Sequence, residues 1–305
     1  MNYPLIYNAV YCEPLCIDPS VFYGIHGVLW PRITQGRGME MGDISAVAKD
    51  GKPTMNAATG KRATRCRALV DGWSGKVLDE RFFYTVEGKP SVAVIPIYGI
   101  LAKNASSMEE LCMGVTDINP ISYALTQAAG DSSIKTFVLD IASPGGQVTG
   151  IRELANQVRA IAKTRGRTVY SFTDERQCSA AQWIAAQANE CYGTPSSTVG
   201  SIGTYLAWLD ETVKMQLEGT RLEFFGAGKH KGMGLPGRSL SQEDRQLLQS
   251  RVDEINGWFT SAVTAARPRV TAETMQGQVF SGEQGSRAHL IDGLVNDWHE
   301  FLSLL

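Results

Sequence analysis

Gln177-Cys-Ser-Ala-Ala-Gln-Trp-Ile-Ala-Ala-Gln-Ala-Asn-Glu-Cys-Tyr-Gly-Thr-Pro195 opens on a serine and then runs to Asn189 without a charge. Apolar or small side chains at Ala180, Ala181, Trp183, Ile184, Ala185, Ala186 and Ala188 leave little polar surface on any face. The segment therefore reads as a helix buried at the centre of a domain. Ser179 stands at its mouth, where backbone N–H groups lack intrahelical partners and the helix dipole is positive. Two readings are open: a nucleophile whose reaction leaves negative charge on a nearby oxygen, or a plain N-cap.

Upstream, Thr168-Val-Tyr-Ser-Phe172 reads as a strand, preceded by an amphipathic helix with Ile151, Leu154, Ala155, Val158, Ile161 and Ala162 at three-four spacing. Lys135 to Ile141 is a further strand, ending in the turn Ala-Ser-Pro-Gly-Gly146, and Pro120 to Ala129 a further helix. Ser91 to Leu101 is continuously apolar, as a strand buried on both faces is, with Pro96 marking a bulge or an edge. Strand and helix alternating in this way indicate an α/β fold with right-handed crossovers.

Downstream come a glycine-rich passage (Thr198 to Gly203), strand-like runs at Thr204–Trp208 and Arg221–Phe225, and a loop from Gly226 to Gly234. A long helix starts at Ser241, with Asp244 placed for a capping box, and runs towards Pro268. Val279 to Val295 reads as a short strand, a helix and a closing turn. Residues 1–35 read as an N-terminal extension with a helix started by Asp18-Pro19-Ser20. Residues 36–88 read as a mostly irregular connector, and residues 89–305 as the main domain.

Composition sets outer bounds. A hydrophobic share of 43% and a charged share of 20% in 305 residues are those of an ordinary globular chain. A net charge of −2 gives no electrostatic reason for a nucleic-acid partner, and the basic run Lys61 to Arg67 reads as a solvated linker. No apolar run is long enough for a membrane span, and no secretory signal is visible, so a soluble, cytoplasmic protein is expected. The six cysteines match no zinc spacing and are expected as reduced thiols.

Two features could carry chemistry beside Ser179. Ser143-Pro144-Gly145-Gly146 lies at the C-terminal end of a strand, where ligands bind in open α/β sheets. Glycines there let backbone N–H groups face a ligand, as an oxyanion hole requires. A base for Ser179 has to come from elsewhere, and none of the four histidines belongs to a visible Ser-His-Asp pattern. Lys229 and Lys231 in the glycine-flanked loop are the alternative, through a Ser-Lys pair. A free lysine, with a pKa of about 10.4, is almost wholly protonated at neutral pH, so it has to be desolvated, at a cost of about 4 kcal/mol for three units. Otherwise the two are an exposed basic loop.

Taken together these residues resemble the signal peptide peptidase A family of serine–lysine proteases, whose soluble branch includes bacteriophage capsid-maturation proteases. The resemblance covers about Ser91 to Asp297. Ser-Pro-Gly-Gly matches the family's oxyanion turn; Ser179, Trp183, Ala185, Ala186 and Thr194-Pro195 match its nucleophile block; Gly200-Ser201-Ile202-Gly203 follows. The Gly-x-x-Lys block falls on Lys231, and Val279-Phe280-Ser281-Gly282 with Leu290-Ile291-Asp292 closes the series. Two positions depart from the pattern: Ala180-Ala181 stands for the usual Gly-Gly, and Gly285 for a helix alanine.

The resemblance implies a crotonase/Clp-protease-like fold of stacked ββα units, assembled as a homo-oligomeric ring. It implies Ser179 as nucleophile, Lys231 as base, Ser201 supporting the lysine, and the Gly146 and Ala180 N–H groups as oxyanion hole. No metal or other cofactor is expected. The expected substrates are proteins or peptides, among them scaffold or capsid proteins; the family's C-terminal scaffolding segment has no counterpart before Leu305, so a separate scaffold or a shortened chain is expected. Lys229 remains a second candidate for the base. The rival readings are a cellular peptide-degrading relative, an acyl-CoA enzyme of the crotonase type, which would need carboxylates at the pocket, and a non-catalytic scaffold protein.

Overall fold

The structure, a computed structural model, describes residues 14–17, 69–70, 77–79, 83–105 and 114–305. The helix expected after Asp18 and most of the expected connector lie outside these residues.

In chain order the elements are β1 (Leu15–Ile17), β2 (Leu69–Val70), β3 (Val77–Asp79), β4 (Tyr84–Val86), β5 (Lys89–Tyr98), β6 (Ile100–Ala102), β7 (Val115–Asp117) and α1 (Ile118–Gly130). There follow β8 (Thr136–Ala142), β9 (Gly145–Gln147), α2 (Ile151–Ala162), β10 (Thr168–Thr173), β11 (Arg176–Cys178), α3 (Ala180–Ala185), β12 (Glu190–Gly193) and β13 (Thr198–Gly200). The last are α4 (Thr212–Leu217), α5 (Gln242–Ala266), β14 (Val279–Ser281), α6 (Gly282–Arg287), β15 (Gly293–Leu294) and α7 (Trp298–Ser303). This is a mixed α/β architecture.

A six-stranded sheet in the order β15-β12-β10-β8-β5-β4 forms the base, parallel except for β4. Its central strands are buried on both faces, which is why their sequences run apolar without alternation. Ile95, Ile97, Phe137 and Leu139 face the buried stripes of α1 and α2. The opposite face, with Val94, Val138 and Phe172, is closed by α7, whose Phe301 stacks on Phe172 at 4.8 Å between ring centroids. Pro96 pairs with Asp140 of β8, two residues past Val94, the last residue of β5 with a described partner in β4.

Two smaller sheets build the layer that holds the candidate site. One has the order β1-β9-β6-β7 and contains the end of the Ser-Pro-Gly-Gly turn; the other, β11-β13-β14, leads into α3. Leu15, Cys16 and Ile17, expected in an N-terminal extension, are buried and pair antiparallel with Gln147, Gly146 and Gly145.

Two sequence expectations are corrected. Thr204–Trp208 is not a strand beyond a single bridge from Tyr205 to Leu15, and Arg221–Phe225 is not a strand at all. A run rich in aromatic and apolar residues forms a strand only where a sheet edge is free to take it. Phe225 is instead 90% exposed, and Leu217 and Val213 nearby are also exposed. One element lies beyond the sequence reading, which stops with the closing turn at Val295: α7, capped by Asp297, which accepts from the Glu300 N–H at 2.8 Å.

Candidate active site

The approach to Ser179 is geometrically tight. β11 pairs in parallel with β13 up to Cys178 opposite Gly200, and the Ser179 N–H still donates to the Gly200 carbonyl at 2.8 Å. One residue later the chain is helical. Turning from sheet to helix within a single residue puts Ser179 at φ 54°, ψ −119°, a region that non-glycine residues rarely occupy and that costs roughly 1–3 kcal/mol.

The N-cap reading of Ser179 does not survive this geometry. Its side chain makes no capping bond, and its Oγ, in a residue only 1% exposed, has no hydrogen-bond partner. A strained residue with a buried, unpaired hydroxyl does nothing for the helix; strain of this kind collects at functional sites.

The Ser-Pro-Gly-Gly turn is held against this serine. Ser143 N–H donates to the Arg176 carbonyl at 2.7 Å, and Cys178 N–H returns a bond to the Ser143 carbonyl at 3.1 Å. The Ser143 hydroxyl donates to the Gly99 carbonyl at 2.7 Å and accepts from the Gly145 N–H. Gly145 has φ +100°, and a Cβ there would stand 2.8 Å from Ser179 Cβ and 3.0 Å from the Ala180 nitrogen. Only glycine allows both the conformation and the approach.

Gly146, the residue expected in the oxyanion hole, follows inside β9 between Cys16 and Leu101, where a side chain would overlap the Leu101 backbone. Gly145, quoted in the turn but given no role, is the glycine in contact with the serine. Its position next to Gly146 was the only signal for it.

Ser201 is also brought to this place. It is 3% exposed, follows the Gly200 that binds the Ser179 N–H, and donates its own N–H to the Gln278 carbonyl at 2.7 Å. Beside it a cavity of about 320 Å³ opens between Ser201–Tyr205, the middle of α5 at Val252 and Asn256, and Met275.

Lys231 is not brought there within one chain. It is exposed in the loop after Gly228, and the unpartnered Ser179 Oγ shows that its ammonium is not bonded to the serine. Lys229 is 63% exposed and pairs with Glu243 at 2.6 Å. Between them His230 Nδ1 lies 2.6 Å from Asp244 Oδ1. Asp244 also accepts from the Ser241 N–H and hydroxyl, and these bonds, the one from His230 foremost, hold its carboxyl down at about 2. With Asp244 ionised, Nδ1 is the donor.

Asp174 and Glu175, the acids nearest Ser179 in sequence, are exposed. Among the described residues, no group of His, Cys, Asp and Glu is clustered closely enough to hold a metal ion, and no helix is long and apolar enough to cross a membrane. Cys16, Cys178 and Cys191 are buried free thiols, and burial pushes Cys16 up to about 12.

The helix start, the glycine turn and the Gly200 carbonyl thus meet at Ser179. The model of peptidase family S49 matches residues 161–300. The chain is 32% identical over 304 residues to the capsid assembly protease C of Escherichia phage lambda, covering 97% of this chain and 64% of that protein. It is 27% identical over 310 residues to the head-tail preconnector protein GP5 of Enterobacteria phage P21, covering 97% and 56%. It is 25% identical over 165 residues to a putative signal peptide peptidase SppA of Enterococcus faecium, covering 53% and 48%. The chain therefore spans less than two thirds of the length of these relatives.

Proposed function

We propose, from the match of the peptidase family S49 model to residues 161–300, that this chain is a serine endopeptidase of that family using Ser179 and Lys231. The observation that carries the proposal is the strained, buried Ser179 hydroxyl without a hydrogen-bond partner. Ser179 attacks a peptide carbonyl and neutral Lys231 takes its proton. The Gly146 and Ala180 N–H groups receive the oxyanion, and Ser201 holds the amine. The amine leaves with the proton from Lys231, and water then hydrolyses the acyl-enzyme. We read the stacked sheets as a crotonase/Clp-protease-like fold. An acyl-CoA chemistry with pocket carboxylates is disfavoured, because Asp174 and Glu175 point to solvent.

The base arrives by assembly. Lys231 is exposed, and the segment that precedes it carries the exposed Val213, Leu217 and Phe225, apolar surface that water does not stabilise. In the ring we propose, this segment packs on the next copy, and Lys231 of one chain meets Ser179 of another in a site closed to water, where it loses its proton. The substrates are proteins, with scaffold or capsid proteins the first choice, because the relatives named above include a capsid assembly protease.

Mixing Ser179→Ala with Lys231→Ala protein tests both parts. Each alone should fail to cleave casein, and the mixture should recover part of the wild-type rate, because some interfaces then pair an intact serine with an intact lysine. Full activity of Ser179→Ala would end the serine assignment. No recovery in a mixture shown to contain hetero-oligomers would end the shared site.

A further inference from the structure

We propose that His230 is a positioning residue: its hydrogen bond to Asp244 fixes the loop that carries Lys231 to the head of α5. The role rests on the serine–lysine reading above and adds to it the element that sets where the lysine stands.

The loop has little else to define it. Residues 227–234 form turns without strand or helix, and Lys229 and Lys231 are exposed. Lys229 and Glu243 pair at 2.6 Å, but at 63% and 57% exposure such a pair is weak and screened by salt. His230 differs. Its partner Asp244 is 1% exposed and is itself fixed by reciprocal bonds with Ser241, the capping box of α5. The loop is therefore tied at the residue before Lys231 to a carboxylate that has no freedom of its own. A charge-assisted bond of 2.6 Å to a fixed acceptor is the strong kind.

The other end of the connection is anchored in the core of the same chain. α5 runs from Gln242 to Ala266, and its Phe259 stacks on Trp183, in the first turn after Ser179. One continuous helix thus ties the lysine loop at its head to the packed body of the chain that presents Lys231 to the next copy. A lysine on an untied loop samples many positions, and a misplacement of about 1 Å can cost on the order of a hundredfold in rate.

The test is the rate at which a fluorophosphonate probe acylates Ser179, together with amide hydrogen exchange of residues 227–234, in wild type, His230→Ala and His230→Asn. His230 is part-exposed, so neither change empties a core. The asparagine amide N–H can replace Nδ1–H as donor. His230→Ala should lower acylation about tenfold or more and raise exchange in the loop, and His230→Asn should restore both to within about threefold of wild type. Acylation of His230→Ala at the wild-type rate would overturn the positioning role, as would an asparagine variant no better than alanine. If wild type itself is not acylated, the serine reading falls. The tie then stands or falls on exchange alone, upheld if protection is lost in alanine and kept in asparagine, and overturned if the variants match.

Discussion

Trp183 lies flat on Phe259, with ring centroids 4.7 Å apart and planes within 6° of parallel. Trp183 is the residue through which the short α3 meets the long α5, and both rings are buried. A helix of six residues has no stability of its own, so the conformation at Ser179 depends on what packs behind it. Phe259→Ala should therefore cost about 3–5 kcal/mol in a urea titration. It should also slow probe acylation of Ser179, although residue 259 is not part of the site. Acylation unchanged in a variant destabilised by that amount would show that the nucleophile conformation is set by β11 and the turn alone.

Ser179 itself should be a site where activity and stability oppose each other. At φ 54° a serine is strained, and its hydroxyl is buried without a partner. Ser179→Gly removes both penalties, roughly 1–3 kcal/mol each, against about 0.5–1 kcal/mol of added backbone entropy in the unfolded chain. The glycine variant should melt a few degrees above wild type and show no acylation. Ser179→Ala, which loses the hydroxyl but keeps the strain, should fall between them in melting temperature. A glycine variant less stable than alanine would show that the conformation is not strained in solution.

Gly285 lies in α6, where helix propensity alone favours alanine by about 1 kcal/mol. A Cβ there would overlap Val199 Cγ2, and Val199 is fully buried in β13, one residue before Gly200. The overlap should win: Gly285→Ala should destabilise by about 1–3 kcal/mol, read as a lower urea midpoint. Because Gly200 accepts from the Ser179 N–H, the same change should reduce acylation. The double change Gly285→Ala with Val199→Ala should recover part of the loss.

How much of this was legible in the sequence follows from how local each cause is. The long elements β5, α1, β8 and α2, the capping box at Ser241 and the buried helix after Ser179 were readable, because periodicity and capping act within a few residues, whereas the short β6, β7 and β9 were not. Ser179 and the Ser143–Gly146 turn stand out by composition, a small-residue helix start and paired glycines, whereas Ala180 and Ser201 enter only through the family resemblance. The strain at Ser179 was not visible, since it arises from the pairing of Cys178 with Gly200, two residues far apart in the chain. The failure of Arg221–Phe225 to form a strand has the same origin: its residues suit a sheet, but no described edge takes them. Asp244 was recognised as a cap, yet its bond to His230 was not, because a loop and a helix head meet only in the folded chain.

That last contact gives a prediction in pH. The Asp244 carboxyl is held at about 2 by the bond from His230 and then by those from Ser241, against an ordinary value of about 3.9. A carboxyl whose folded value lies below its unfolded value adds stability that is complete above about pH 4. That stability is lost as pH falls towards about 2. Glu243 and Lys229, the exposed pair beside it, are screened and do not set this window. The first turn of α5 and residues 227–234 should thus keep their slow hydrogen exchange down to about pH 4 and lose it below. His230→Ala removes the largest of the bonds, so Asp244 should titrate closer to 3.9 and the loosening should move to higher pH. Carboxyl titration of Asp244 by NMR checks this directly. If wild type and His230→Ala both titrate near 3.9, the bond between loop and helix head is not formed in solution.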